Sequence, residues 1–167
     1  YAAKKLLERQ GSKLLEGRQT GLTYDCTSLS AVAFNSTIAG IENADVVLLI
    51  GSNIRWEAPL IATRVRKIAR KGGKIFAIGP EVDLGMKVGW LGNDLKLLGN
   101  LPKPVVDAFA GAERPAVIVG PGALAAGGLG PALSLVDPLG LIKGEWNGFN
   151  VLHVSASRMA SLVLGYA

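Results

Sequence analysis

Residues Ala44 to Pro80, ADVVLLIGSNIRWEAPLIATRVRKIARKGGKIFAIGP, leave the backbone few options. Val46 to Ile50 is an uninterrupted apolar run rich in β-branched side chains, the pattern of a strand covered on both faces within a parallel sheet. Gly51, Ser52 and Asn53 break it. From about Glu57 the spacing turns helical, with Ile61, Val65 and Ile68 at i, i+4 and i+7 on one face. Lys71, Gly72 and Gly73 close that helix with a cation and a pair tolerant of left-handed backbone, and Lys74 to Ile78 resumes a buried strand. The stretch reads as a βαβ unit, whose crossover is expected to be right-handed.

The rest of the chain is punctuated more heavily. Ala2 to Gln10 has the amphipathic pattern of a short helix stopped by Gly11, Lys13 to Glu16 is a candidate strand, and Gly17 to Ser30 reads as a loop. Asn35, Ser36 or Thr37 is placed to cap a turn of helix ending at Gly40. Glycines 85, 89, 92 and 99 interrupt any long helix after Pro80. Pro102 and Pro104 flank the start of a helix over Val105 to Ala110, with Val106 and Phe109 inward. Ala116 to Val119 reads as a second buried strand, followed by a Gly- and Ala-rich turn to Gly130. Trp146 to Tyr166 carries Leu152, Ala156, Met159 and Val163 at helical spacing, with Asn147 as its cap. Together these pieces predict an α/β fold, a layered Rossmann-like parallel sheet with flanking helices. A seam at Glu113 to Pro115 divides the expectation into a first α/β lobe over 1–112, holding the βαβ unit, and a smaller second lobe over 113–167 that is incomplete at its C-terminus.

Composition excludes several kinds of chemistry. The 167 residues contain one cysteine, Cys26, and one histidine, His153. That rules out an internal disulfide, a zinc site of ordinary make-up and an iron–sulfur cluster ligated within the chain. The balance of 18 basic and 13 acidic residues gives +5, and basic residues interleaved with exposed aromatics, the mark of a nucleic-acid binder, are missing. No apolar run reaches the roughly 18 residues of a membrane span, so no direct membrane insertion is expected. The chain opens at Tyr1 without an initiator Met and is read as part of a longer protein.

Three features bear on ligands. Gly51, Ser52 and Asn53 lie where a strand gives way to a helix, a position that either seats a phosphate, caps the next helix, or preserves a pocket that has lost its ligand. Gly120, Gly122 and Ala125 satisfy a GxGxxA dinucleotide-binding turn, but Gly127, Gly128, Gly130 and Pro131 fall where its helix should run. Ser155 and Ser157 beside His153 are on an expected helix rather than a strained elbow, with no acid placed to complete a triad, so no catalytic residue is assigned. Arg64, Arg66, Lys67, Arg70, Lys71 and Lys74 make a basic cluster, read first as a solvated face opposing the helix dipole and second as a docking face for an acidic partner. Arg55 and Trp56 leave the strand-end loop together, as an amphipathic pair suited to an interface or, for Trp56, to the core.

The runs FNSTIAGIENADVVLLIGSNIRWEAPLIATRVRK, IGPEVDL, WLGNDLKLLG, AERPAVIVGPGAL and WNGFNVLHVSASR resemble, in order and over nearly the whole chain, the large (75 kDa) iron–sulfur subunits of respiratory complex I. The resemblance implies the C-terminal region of such a subunit, which is itself similar to molybdopterin oxidoreductases such as formate dehydrogenase. In that wider family the loop equivalent to Gly51–Asn53 approaches a pterin-dinucleotide phosphate and often continues with Pro, where this chain has Ile54. The complex I branch is not known to carry the molybdenum cofactor, and its 4Fe-4S and 2Fe-2S clusters belong to a Cys-rich N-terminal part that is not in this sequence. The resemblance therefore implies a non-catalytic scaffold without a cofactor of its own. It would support the peripheral arm of an NADH-quinone oxidoreductase, on the cytoplasmic side of a bacterial inner membrane or the matrix side of the mitochondrial one. Its partners would be other peripheral-arm subunits, with Arg55, Trp56, Arg66 and Arg70 as candidate contacts. The alternatives are a molybdopterin-dependent oxidoreductase with Ser52 and Asn53 on the cofactor phosphate, and an NAD-binding module using Gly120 and Gly122.

Overall fold

The structure, a computed structural model, describes residues 1–12, 15 and 28–166. The candidate strand at 13–16, residue 15 excepted, and most of the loop expected over 17–30, Cys26 included, lie outside the described residues. Ala2–Arg9 forms helix α1. The βαβ expectation holds: β1 (Val46–Ile50), a one-turn helix α2 (Ile54–Glu57), α3 (Pro59–Arg70) and β2 (Lys74–Ile78) follow in order. Pro59 separates the two helices because it lacks the N–H to continue α2, yet it suits the first turn of α3.

Strands β3 (Gly89–Gly92), β4 (Pro115–Val119) and β7 (Phe149–Val151) complete a five-stranded sheet in the order β3-β2-β1-β4-β7, parallel throughout. A short antiparallel ribbon, β5 (Ile142–Lys143) with β6 (Trp146–Asn147), stands apart. Helices α4 (Lys103–Ala110), α5 (Pro121–Ala125), α6 (Leu129–Leu133) and α7 (Arg158–Val163) fill in the chain order.

β1 is central, and its alternation organises both layers. Val47 and Leu49 face α3, where Ile61, Ala62, Val65 and Ile68 are buried. Val46, Leu48 and Ile50 face the other layer, against Val105 and Phe109 of α4, Leu124 of α5 and Ala132 of α6. Five apolar residues covered on both sides are the reason the run has no polar alternation. The proposed boundary at 112/113 falls between α4 and β4, and β1 and β4, one from each side of it, pair from Val46↔Pro115 to Ile50↔Val119.

Three local expectations need correction. The helix expected over Trp146 to Tyr166 is a strand for its first part, and only Arg158–Val163 is helical. Packing overrides the spacing: Phe149 and Val151 join the α4 side of the core, while buried Asn150 accepts from the Ser36 N–H (2.8 Å) and donates to Ser36 Oγ (3.0 Å) and Gly148 O (3.0 Å). Asn147 caps no helix but accepts from Phe149 N–H at 3.0 Å, and Val163 is 57% exposed. In α4 the inward pair is Val105 and Phe109, which are four apart and share the face turned to the core, whereas Val106, the next residue round, is 40% exposed. Finally, the turn near Gly40 begins there, as a 3₁₀ turn over Gly40–Asn43, with the Gly40 N–H donating to Thr37 Oγ1 at 3.0 Å.

Candidate functional site

From β1 the chain builds outward through β2 to β3, then returns to the other flank of β1 to add β4 and β7. The crevice between the carboxyl ends of β1 and β4 is therefore the point where strand order reverses, the usual ligand seat of open α/β sheets. A cavity of about 370 Å³ opens beside it, lined in part by Ser52, Asn53, Glu57, Val82, Trp90 and Leu95.

Between the Gly51 and Gly120 turns the crevice is filled by the protein, while Gly51 and Gly122 also line the cavity. Gly51, at φ +58°, lies so close to α5 that a Cβ on it would stand 2.3 Å from Ala123 N, and a Cβ on Gly120 would stand 2.2 Å from Ser52 Cβ. Each turn occupies the space that the other's missing side chain leaves. The backbone donors are engaged as well: Gly51 N–H with Ile78 O (2.8 Å), Gly120 N–H with Ile50 O (2.8 Å), and Gly122 N–H with Gly51 O (3.0 Å). Gly120 and Gly122, candidates for a dinucleotide turn, thus serve turn-to-turn packing. The helix after them is only Pro121–Ala125, capped by Ala126, with Gly127 just beyond at φ +75°.

Glu57 was not among the residues singled out from the sequence. From the last position of α2 its carboxylate reaches back to the strand-end turn, where Oε2 accepts from Ser52 Oγ (2.6 Å) and from Asn53 N–H (3.0 Å). Its spacing of four residues from Asn53 is one longer than a capping box, so a search for that motif passes over it. Asn53 itself forms no side-chain cap for α2, and its Oδ1 is buried with no hydrogen-bond partner.

The candidate contact residues separate on inspection. Trp56 is 78% exposed, which settles it as a surface residue, and Leu60 one turn on is 69% exposed. Arg55 donates to the Asp83 carboxylate and to its backbone oxygen (3.2 Å). The Gly85 N–H first, and then Arg55, hold the Asp83 carboxyl below its usual pKa. Arg66 is half-buried with no hydrogen-bond partner at Nε, and Arg70 is exposed. Three members of the basic cluster converge on Glu42, another residue missed from the sequence, whose carboxylate offsets one of their charges: it takes Arg64, Lys67 (3.1 Å) and, at 4.0 Å, Lys71. Hydrogen bonds from Arg64 and then Lys67 lower its pKa. Asp94 caps the 3₁₀ turn Leu95–Gly99 by accepting from Lys96 N–H at 2.9 Å.

His153 follows β7, the strand beside β4, with Nε2 at 2.6 Å from Val32 O. Burial, outweighing that carbonyl, pushes its pKa down. Ser155 and Ser157 precede α7 rather than sit on it.

A family model described as molybdopterin oxidoreductase matches residues 1–167. The chain belongs to the molybdopterin oxidoreductase family. Among its relatives, a protein from Rickettsia typhi, named as the G subunit of NADH-quinone oxidoreductase, is 34% identical over 174 residues, covering 99% of this chain and 26% of the relative. One named NADH-ubiquinone oxidoreductase 78 kDa subunit, mitochondrial, from Candida albicans is 39% identical over 140 residues, covering 80% of this chain and 19% of the relative. One named NADH-ubiquinone oxidoreductase 75 kDa subunit, from Reclinomonas americana, is 36% identical over 139 residues, covering 78% and 20%. The chain spans about a quarter of the length of the first of these curated relatives.

The family name raises the question of a pterin cofactor, and the switch-point crevice does not fit one. A dinucleotide phosphate needs close backbone approach at the glycines and free donors at the turn. Here the Cβ directions of Gly51 and Gly120 are filled by Ala123 and Ser52, and Ser52 and Asn53 already donate to a carboxylate. Among the described residues, no helix is long and apolar enough to cross a membrane.

Proposed function

We propose that this chain is a non-catalytic scaffold region of the large iron–sulfur subunit of an NADH-quinone oxidoreductase, supporting the peripheral arm through which electrons pass from NADH to quinone. The names of the relatives support the assignment to that subunit. The observation that carries the non-catalytic reading is the mutual packing of the Gly51 and Gly120 turns, which spends on internal contacts the glycines that a cofactor site needs. On this reading the chain holds no cofactor of its own, and the iron–sulfur clusters lie in another part of the subunit. Its partners are other peripheral-arm subunits, reached in part through Trp56, whose exposed indole beside an arginine has the composition of an interface anchor. The arm lies on the cytoplasmic or matrix face of the membrane.

Two measurements on the purified native complex test this reading. Pterin and molybdenum assays should find neither, and a photo-crosslinker in place of Trp56 should capture a neighbouring subunit. One equivalent of pterin per complex would overturn the scaffold reading in favour of a molybdopterin-dependent oxidoreductase, and crosslinking only within the same chain would overturn the role of Trp56.

A further inference from the structure

The strand-end turn at Ser52 and Asn53 presents a hydroxyl and an amide N–H side by side, and such a pair has three possible companions: water, a ligand anion, or a group of the protein. Here a single carboxylate oxygen, Glu57 Oε2, accepts both, at 2.6 and 3.0 Å. An oxygen carrying part of a negative charge and accepting two convergent hydrogen bonds is placed as a phosphate oxygen would be. We propose that Glu57 is a built-in anion that takes the place of a ligand phosphate at this turn, and that its charge keeps phosphate-bearing cofactors out of the adjoining cavity.

Three further observations agree. Glu57 lines the same cavity as Ser52 and Asn53, so an incoming phosphate would meet its carboxylate directly. Asn53, also in that lining, adds no positive charge, and its Oδ1 is buried without a donor. The remaining lining, including Val82, Trp90 and Leu95, supplies no cation to offset the carboxylate. A phosphate brought beside this exposed carboxylate meets a like charge, and displacing Glu57 forfeits its two hydrogen bonds to the turn. The same contacts also brace the short helix α2, so a bracing role alone must be told apart from an anion role.

Anion replacement distinguishes them. In the full-length protein, Glu57→Ala should lower hydrogen-exchange protection of the segment spanning 48–58. Inorganic pyrophosphate should restore it saturably, by about tenfold at ten times its Kd. Ser52→Ala combined with Glu57→Ala should abolish that rescue. The unmodified protein, which keeps its carboxylate in place, should not respond. If Glu57→Ala fails to assemble, Glu57→Ser, which has neither the charge nor the reach, takes the same test. No response in either variant, or a response in the unmodified protein, overturns the proposal. Its failure leaves the scaffold reading standing, because that reading falls by a separate measurement, the pterin assay.

Discussion

Replacing Gly120 by alanine asks whether the two strand-end turns are as tightly joined as the geometry requires. Gly120 has φ −96°, which any residue adopts, so the substitution carries no backbone penalty of its own. What the new methyl meets is Ser52 Cβ at 2.2 Å, Gly51 O at 2.7 Å and Ser52 Cα at 2.7 Å. Backbone atoms cannot rotate away as a flexible side chain would, so the turns must part, at about 1–3 kcal/mol, the usual cost of overpacking a well-filled interior. Gly127→Ala supplies the opposite control, since nothing lies within 4 Å of its Cβ while its φ is +75°. It should cost about 1–2 kcal/mol from left-handed backbone alone. Gly51→Ala incurs both effects, with φ +58° and Ala123 N at 2.3 Å, and should cost about 2–5 kcal/mol. The assay is hydrogen exchange at the Gly122 amide, which donates to Gly51 O across the join. Gly120→Ala and Gly51→Ala should expose it, and Gly127→Ala should not. Native-like protection at Gly122 in Gly120→Ala would refute the packing argument.

Trp56→Ala should leave stability within about 0.5 kcal/mol, since the side chain is 78% exposed, yet weaken subunit association by about 2 kcal/mol or more, measured by pull-down at graded salt. Asn150→Leu should cost about 3 kcal/mol or more in denaturant unfolding, because the Ser36 N–H and hydroxyl and the Gly148 carbonyl lose their partners inside the fold. His153 has a lowered pKa when folded, so the unfolded chain binds more protons and neutral imidazole stabilises the fold. That contribution is present above the unfolded value of about 6.5 and is lost as pH falls through the lower folded value; His153→Gln should flatten this part of the stability profile.

How much of this could be read from residues alone depends on distance along the chain. The βαβ unit over 44–80 was legible because each signal lies within it: the apolar run of β1, the spacing of Ile61, Val65 and Ile68, and the glycine stop before β2. β7 was not, because Asn35 and Ser36, which hold Phe149 and Asn150, are over a hundred positions away and three residues are too few to show a period. β3 was hidden for another reason: Gly89 breaks the pattern, yet it is needed because a Cβ there would lie 2.9 Å from Phe76 Cδ1. At the site, the donors Ser52 and Asn53 were visible and the acceptor was not. Motif spacing anticipates a carboxylate three residues on from the cap, and Glu57 lies four on.

The place of β1 between β2 and β4 also sets an order of events during folding. Its pairing with β2 spans only α2 and α3, whereas pairing with β4 must close a loop that contains β2, β3 and α4 as well. Short closures lose less chain entropy and form sooner, so the β1–α3–β2 half is expected to assemble first. Gly51 belongs to that half and Gly120 does not. The two turns can interlock only when β4 arrives, which makes the switch-point crevice a late joint of the molecule, closed by the last long-range step rather than preformed to wait for a ligand.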